Sequence, residues 1–230
     1  MKNNQNCSIA NRFRHHLFLA CLLWIGCGTS VFAADTEWKS LFDGKTTTGW
    51  RGIGKKQFPD KGWVVEDACL KHVKNGGGGD IITTEEYSNF EFEWEWKISK
   101  GANSGVKYMI IEKRGAIGHE YQIWDAGNTA LNIHSTASLY DMLAPIACPQ
   151  KPIGEFNTSK ICVKDLQVEH WLNGVKVLSY QLDSPELKAA VAKSKFKGFA
   201  GFGSKVKGPI LLQDHGGEIY FRNLRIRELQ

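Results

Sequence analysis

Along most of the chain, apolar and polar residues alternate with the two-residue period of a β-strand. In Phe90-Glu91-Phe92-Glu93-Trp94-Glu95-Trp96-Lys97 every aromatic falls on one parity and every charge on the other, which predicts a core face and an outer face. Three carboxylates on one strand face repel one another unless cations or a ligand lie against them. Trp63–Glu66 and Cys69–Val73 bracket Asp67-Ala68 as a hairpin, and Gly76–Gly79 read as a flexible loop. That loop lacks the Lys-Ser/Thr that completes a phosphate loop. Lys100–Gly105 read as a turn feeding a strand with Val106, Tyr108 and Ile110 inward and Asn103, Gly105 and Lys107 outward. Ile161–Leu166, Val168–Leu172 and Val175–Tyr180 form a meander, its last two strands joined by the hairpin pair Asn173-Gly174. A short helix is announced by Ser184 at an N-cap and Pro185 at the first helical position, and runs to about Lys193. The chain closes on Ile210–Gly216 and a strand over Glu218–Leu229. So many short strands with Gly, Asn and Asp between them predict an all-β, two-sheet antiparallel sandwich.

Glu120-Tyr121-Gln122-Ile123-Trp124-Asp125 has the same alternation with different chemistry. Glu120, Gln122 and Trp124 share one face, and Tyr121 and Ile123 point into the core. A carboxylate and an amide can hold sugar hydroxyls, and an indole offers a flat face to a pyranose ring. Asp125 joins that face only across a β-bulge. An ordinary amphipathic strand with a solvated face fits the same letters.

Composition narrows the setting. A chain of 230 residues that is 42% hydrophobic and 11% aromatic builds one substantial core rather than two domains. Arg12 and Arg14 precede the apolar run Leu17–Ile25, and Val31-Phe32-Ala33 supplies a small-x-small cleavage pattern, so residues 1–33 read as a signal peptide and 34–230 as the exported domain. The run is too short to span a bilayer. Cys27 after Ile25-Gly26 also fits a lipoprotein signal, which leaves periplasmic, extracellular and lipid-anchored forms open. The leader holds three of the 29 basic residues and none of the 24 acids, so the remainder carries only +2, without the basic footprint of a nucleic-acid partner. Cys69, Cys148 and Cys162 remain after it, a count that is no disulfide framework and has no zinc-ligand spacing.

Several segments together resemble the 3-keto-disaccharide hydrolase family, also described as 3-keto-glucoside-1,2-lyase and 3-keto-2-hydroxyglucal hydratase. They are Leu41-Phe42-Asp43-Gly44 with Gly49-Trp50, the strand Phe90–Lys97, Asn103–Tyr108, Glu120–Ile123, Ser138-Leu139-Tyr140-Asp141, His170–Gly174, and Leu212–Gly216 through Phe221-Arg222-Asn223. Two positions depart from the family: Phe156 replaces a tryptophan in Gly154-Glu155-Phe156-Asn157, and Ser138 replaces an alanine. The resemblance covers about Trp38–Leu229 and implies a concanavalin-like jelly roll acting on a sugar oxidised at C3.

That ketone acidifies the C2 proton, so a base can remove it and expel the C1 substituent; water then adds back across the glucal. Such a site needs a base, an electrophile over the C3 oxygen and an acid for the leaving oxygen. His215 and Glu120 are the implied proton-transfer groups and Lys107 the enolate stabiliser. Gln122, Asp125, Asn103, Tyr140, Gln213 and Trp124 are expected to position substrate, and Arg222 to hold a carboxylate in place; His134 and Asp141 are further candidates, next to or within the loop that is hardest to align with the family. A divalent cation held by Glu120, Asp125 or His215 would serve the enolate equally well. Two other classes stay open: a glucanase with two carboxylates, because Glu120-x-Gln122-x-x-Asp125 resembles the Glu-x-Asp-x-x-Glu of laminarinase-like enzymes, and a noncatalytic carbohydrate-binding module.

Overall fold

The structure, a computed structural model, describes residues 37–125, 127 and 129–230. Residues 1–33, expected to be a signal peptide, and Cys27 within them lie outside the described residues. In chain order the strands are β1 (Lys39–Ser40), β2 (Trp50–Gly52), β3 (Trp63–Glu66), β4 (Cys69–His72), β5 (Ile81–Thr83), β6 (Phe90–Ile98), β7 (Asn103–Tyr108), β8 (His119–Trp124), β9 (Asn157–Lys164), β10 (Gln167–Leu172) and β11 (Val175–Gln181). Helix α1 (Pro185–Lys193) follows, then β12 (Leu211–Leu212) and β13 (Ile219–Glu228). They make two antiparallel sheets. The larger runs β11-β10-β9-β6-β13-β4-β3, with β1 also on β13; the smaller runs β2-β5-β12-β7-β8. The all-β jelly-roll reading holds.

The core lies between the sheets. β6 alternates buried and half-buried along its whole length, and Phe90, Phe92, Trp94 and Trp96 are at most 1% exposed. Its carboxylates face out against arginines of the neighbouring β13. Glu91 meets Arg227, Glu93 meets Arg225 and Glu95 meets Arg222, at 2.5 to 2.8 Å, which resolves the repulsion foreseen on that face. The Asn173-Gly174 turn takes positive φ at both residues, as the hairpin requires. Ser184 caps α1 through its side chain to the Leu187 N–H at 3.1 Å. Among the described residues no helix is long and apolar enough to cross a membrane, and the three cysteines are free thiols.

Four buried polar side chains of this core are linked in a chain. His170 Nδ1 lies 2.9 Å from the Ala137 carbonyl, Tyr108 OH bridges His170 Nε2 and Tyr180 OH at 2.7 Å each, and Tyr180 OH meets His119 Nδ1 at 2.7 Å. The carbonyl requires a proton on His170 Nδ1, which fixes the direction of every bond after it. Burial keeps both rings neutral, pushing His170 down to about 4 and His119 to about 3.

Two local readings need correction. Ile110 does not continue the inward face of β7: Met109 takes φ 52°, the strand ends, and Ile110 packs with Ile82 and Leu211 on the other side of the small sheet. The Gly76–Gly79 loop serves close approach rather than freedom. A Cβ on Gly78 would sit 2.3 Å from the Lys61 carbonyl oxygen, and one on Gly62 would collide with Gly77.

Candidate active site

The register of the small sheet sets the site. Arg51, Ile82, Leu211, Lys107 and Glu120 pair in one row across β2, β5, β12, β7 and β8, so their side chains share the face turned away from the core. On this face a cleft of about 150 Å³ is lined by Asn103, Lys107, Glu120, Gln122, Tyr140, Gln213 and His215 from the sequence reading, together with Lys195, Phe196 and the turn Gly115–Gly118. Tyr121 and Ile123 point into the core, as the alternation required.

Glu120 is the centre of the cleft, and its residue is 4% exposed. Lys107 Nζ stands 3.7 Å from Glu120 Oε2. Burial pushes the Glu120 carboxyl above the ordinary glutamate range; Lys107, Lys195 and His215 oppose that shift, and Asp80 adds to it. Gly105, across from Gln122 on β7, makes the room: a Cβ there would lie 2.9 Å from Glu120 Oε1. Gln122 donates its amide to Asn103 Oδ1 at 3.1 Å, while its own Oε1 and the Oε1 of Gln213 are buried without a partner among the described residues. Two acceptors left this way await donors, and sugar hydroxyls are donors.

The loop behind β12 is held from below. Asp214 Oδ2 accepts from Gly79 N–H at 3.0 Å, Asp214 Oδ1 lies 2.8 Å from His72 Nε2, and the Asp214 N–H donates to Asp80 Oδ1 at 2.8 Å. His215, next in sequence, is exposed at the rim, near enough to influence both Glu120 and Asp80. Asp80 is itself raised, chiefly by burial. On the far side, Arg51 grips Glu112 through two 2.7 Å bonds and Glu112 accepts from Gly54 N–H, which pins the turn leading into Gly115–Gly118 and holds the Glu112 carboxyl down at about 2. Tyr140 is placed by its own N–H on the Glu120 carbonyl, 3.0 Å, and by the ring of His134, 5.0 Å away.

Three expected residues lie elsewhere. Asp125 does not reach the cleft, because β7 and β8 pair without a bulge and its carboxylate accepts from the Gly101 and Gly127 N–H groups, closing the turn before β7. Trp124 keeps the parity of Glu120 and Gln122 but sits half-buried at the strand end, outside the lining. Arg222 does hold a carboxylate, that of Glu95, on the outer face of the larger sheet with its guanidinium 3.6 Å from the Phe156 ring centroid. The trio Glu120, Asp125 and His215 therefore does not assemble, and among the described residues no three His, Cys, Asp or Glu side chains are grouped as metal ligands.

Asp80, Lys195, Phe196 and the turn Gly115–Gly118 were not read from the sequence. Asp80 carries a signal that was available: it precedes Ile82 by two on the same strand parity. Lys195 carries none, since it reaches the cleft from the segment after α1.

Residues 37–227 match the family model of the 3-keto-alpha-glucoside-1,2-lyase-like domain. A 3-keto-disaccharide hydrolase from Bacteroides thetaiotaomicron is 37% identical across 83% of this chain and 78% of its own length. A Parabacteroides distasonis crystal structure, provisionally described as a glycosyl hydrolase, superposes with a TM-score of 0.75 at 34% identity, covering 84% of this chain and 94% of that one. A second from the same organism gives 0.68 at 28%, covering 84% and 100%. The β-glucanase of Bacillus licheniformis, 9% identical with a TM-score of 0.50 over 86% of this chain and 100% of its own, shares the fold alone.

Proposed function

This chain belongs to the 3-keto-alpha-glucoside-1,2-lyase-like domain family, and on that premise we propose that it cleaves glycosides already oxidised at C3 by elimination and rehydration. Glu120 takes the C2 proton. The C2–H electron pair becomes a C2=C3 bond, and the carbonyl pair moves onto O3, facing the lysines. Collapse of that enolate restores the C3 ketone, forms C1=C2 and expels the C1 oxygen, which collects a proton from His215 at the rim. Water then adds to C1 and a proton returns to C2, so the overall change is a hydrolysis without net redox. Gln122, Gln213, Asn103 and Tyr140 orient the ring.

One observation carries this reading: a buried carboxyl raised above its usual range stands 3.7 Å from an ammonium, which puts a base beside an electrophile in the cleft. Without the ketone the C2 proton is out of reach of a side-chain base. The test is aglycone release from matched 3-keto and unoxidised glucosides, with incorporation of deuterium at C2 from heavy water. Cleavage and exchange of the keto substrate alone are expected. Equal cleavage of both would place the protein with two-carboxylate glucanases, and binding without cleavage would leave a carbohydrate-binding module. Residues 1–33 support the companion proposal that the enzyme works outside the cytoplasm. N-terminal sequencing of exported protein should find a start at Ala34, and a lipidated Cys27 would replace that boundary.

A further inference from the structure

The only α-helix among the described residues leads to a residue of the cleft. α1 fully buries one side chain, Leu187, and ends at Ser194, whose hydroxyl and N–H both return to the Val191 carbonyl. Phe196 is 8% exposed and stacks on Phe202 with ring centroids 4.5 Å apart. Lys195, between two buried neighbours, is the residue left to face outward, and it lines the cleft. Its N–H donates to Asp141 Oδ2 at 2.7 Å, and Asp141 Oδ1 lies 3.1 Å from His134 Nε2. Asp141 holds this pair of bonds from a left-handed backbone, φ 64°, a conformation that strains most side chains.

The two lysines of the cleft differ in what their charge is doing. Lys107, 14% exposed, already faces the Glu120 carboxylate. Lys195 Nζ lies 4.2 Å from the Tyr140 ring centroid and 5.1 Å from that of Phe196, and it forms no ion pair among the described residues. A cation resting on aromatic faces keeps its hydrogen-bond donors for another partner.

We propose that Lys195 is a catalytic residue of this site, donating to O3 of the keto sugar as that oxygen takes on negative charge. The inference rests on the keto-sugar reading above. Lys107 divides its charge between the base and O3, and Lys195 adds a second donor for the charge that leaves C2. An interaction made only as the charge develops raises the rate without tightening the substrate.

The full chain and its Lys195→Met variant would be compared on a 3-keto-glucoside with a chromogenic aglycone, following kcat, KM and deuterium entry at C2. The expected result is a fall in kcat of about 100-fold, the scale of losing one oxyanion donor, with KM within about threefold and exchange falling in step. Lys195→Arg should recover about tenfold of that loss. Melting temperature should not move, because the side chain is exposed; should Lys195→Met melt early, the same comparison is made between Lys195→Gln and Lys195→Arg. Wild-type kcat and exchange in Lys195→Met, or a loss confined to KM, would overturn the assignment. A wild-type protein that neither cleaves nor exchanges the keto substrate would instead remove the reading beneath it.

Discussion

The outer face of the large sheet and the cleft face of the small one are built from the same letters and end in opposite states. On β6 and β13 each acid has its cation: Glu91, Glu93 and Glu95 meet Arg227, Arg225 and Arg222 directly across the ladder, with Lys160 adding to Glu91. Those pairings hold Glu91 and Glu95 below the ordinary glutamate range. On β8 and just before β5 the carboxyls of Glu120 and Asp80 are pushed up, and among the described residues two amide oxygens of the cleft have no partner. One face is complete and the other is waiting. Residue type does not distinguish them, since glutamate stands on the outward parity of both β6 and β8. The distinction is whether folding itself satisfies the polar groups, and a site is where it does not.

The sharpest break of this contrast is Glu120→Gln. Activity on the keto substrate should fall by at least about 100-fold, because a positioned base contributes 10²- to 10⁴-fold. The melting temperature at neutral pH should rise. A carboxyl whose folded pKa is raised stabilises the fold below its unfolded value and loses that contribution as pH climbs through the folded one, so at pH 7 the buried Glu120 carboxyl is a cost that glutamine removes. At pH 4 the gain should vanish. Thermal melts at the two pH values check the sign, and a destabilised variant at pH 7 would mean the cleft is not strained.

A subtler test works through the neighbour. Lys107 draws the Glu120 pKa down against burial, so Lys107→Met should shift the acid limb of the kcat/KM profile to higher pH, because the base then ionises later. A limb that stays in place would separate that limb from Glu120. The smallest effect belongs to the complete face. Glu93→Gln should leave activity within about twofold and cost about 0.2–1 kcal/mol, the usual scale for a pair this exposed, read by denaturant melts.

How far the sequence reached follows from this contrast. Strand parity placed Glu120, Gln122, Lys107 and Gln213 on one face, because a period of two is a local rule and β7, β8 and β12 obey it. The same rule misjudged Asp125, whose fate depended on whether a bulge interrupts β8, and no bulge exists. Arg222 has the chemistry of a site residue, but its sheet is decided by pairing across 127 positions with Glu95. Lys195 lay beyond any local rule, since a helix and the packing of Phe196 bring it in from outside both sheets. Elements were legible where a short-range period governs them, and the site was legible only as far as it stands on those elements.

The turn that supplies Tyr140 has a second effect. β8 is the last strand of its sheet, and such an edge exposes a row of unpaired amides that another chain can extend. Here the Ala137 N–H donates to the Gln122 carbonyl, the Tyr140 N–H to that of Glu120, and the Gln122 N–H to that of Ser138, with a bridge at Tyr121 and Leu139. The strand bearing the base is therefore sealed by the segment that completes its cleft. Shortening that segment would cost more than turnover: it would bare the β8 edge of the small sheet and invite chains to associate through it.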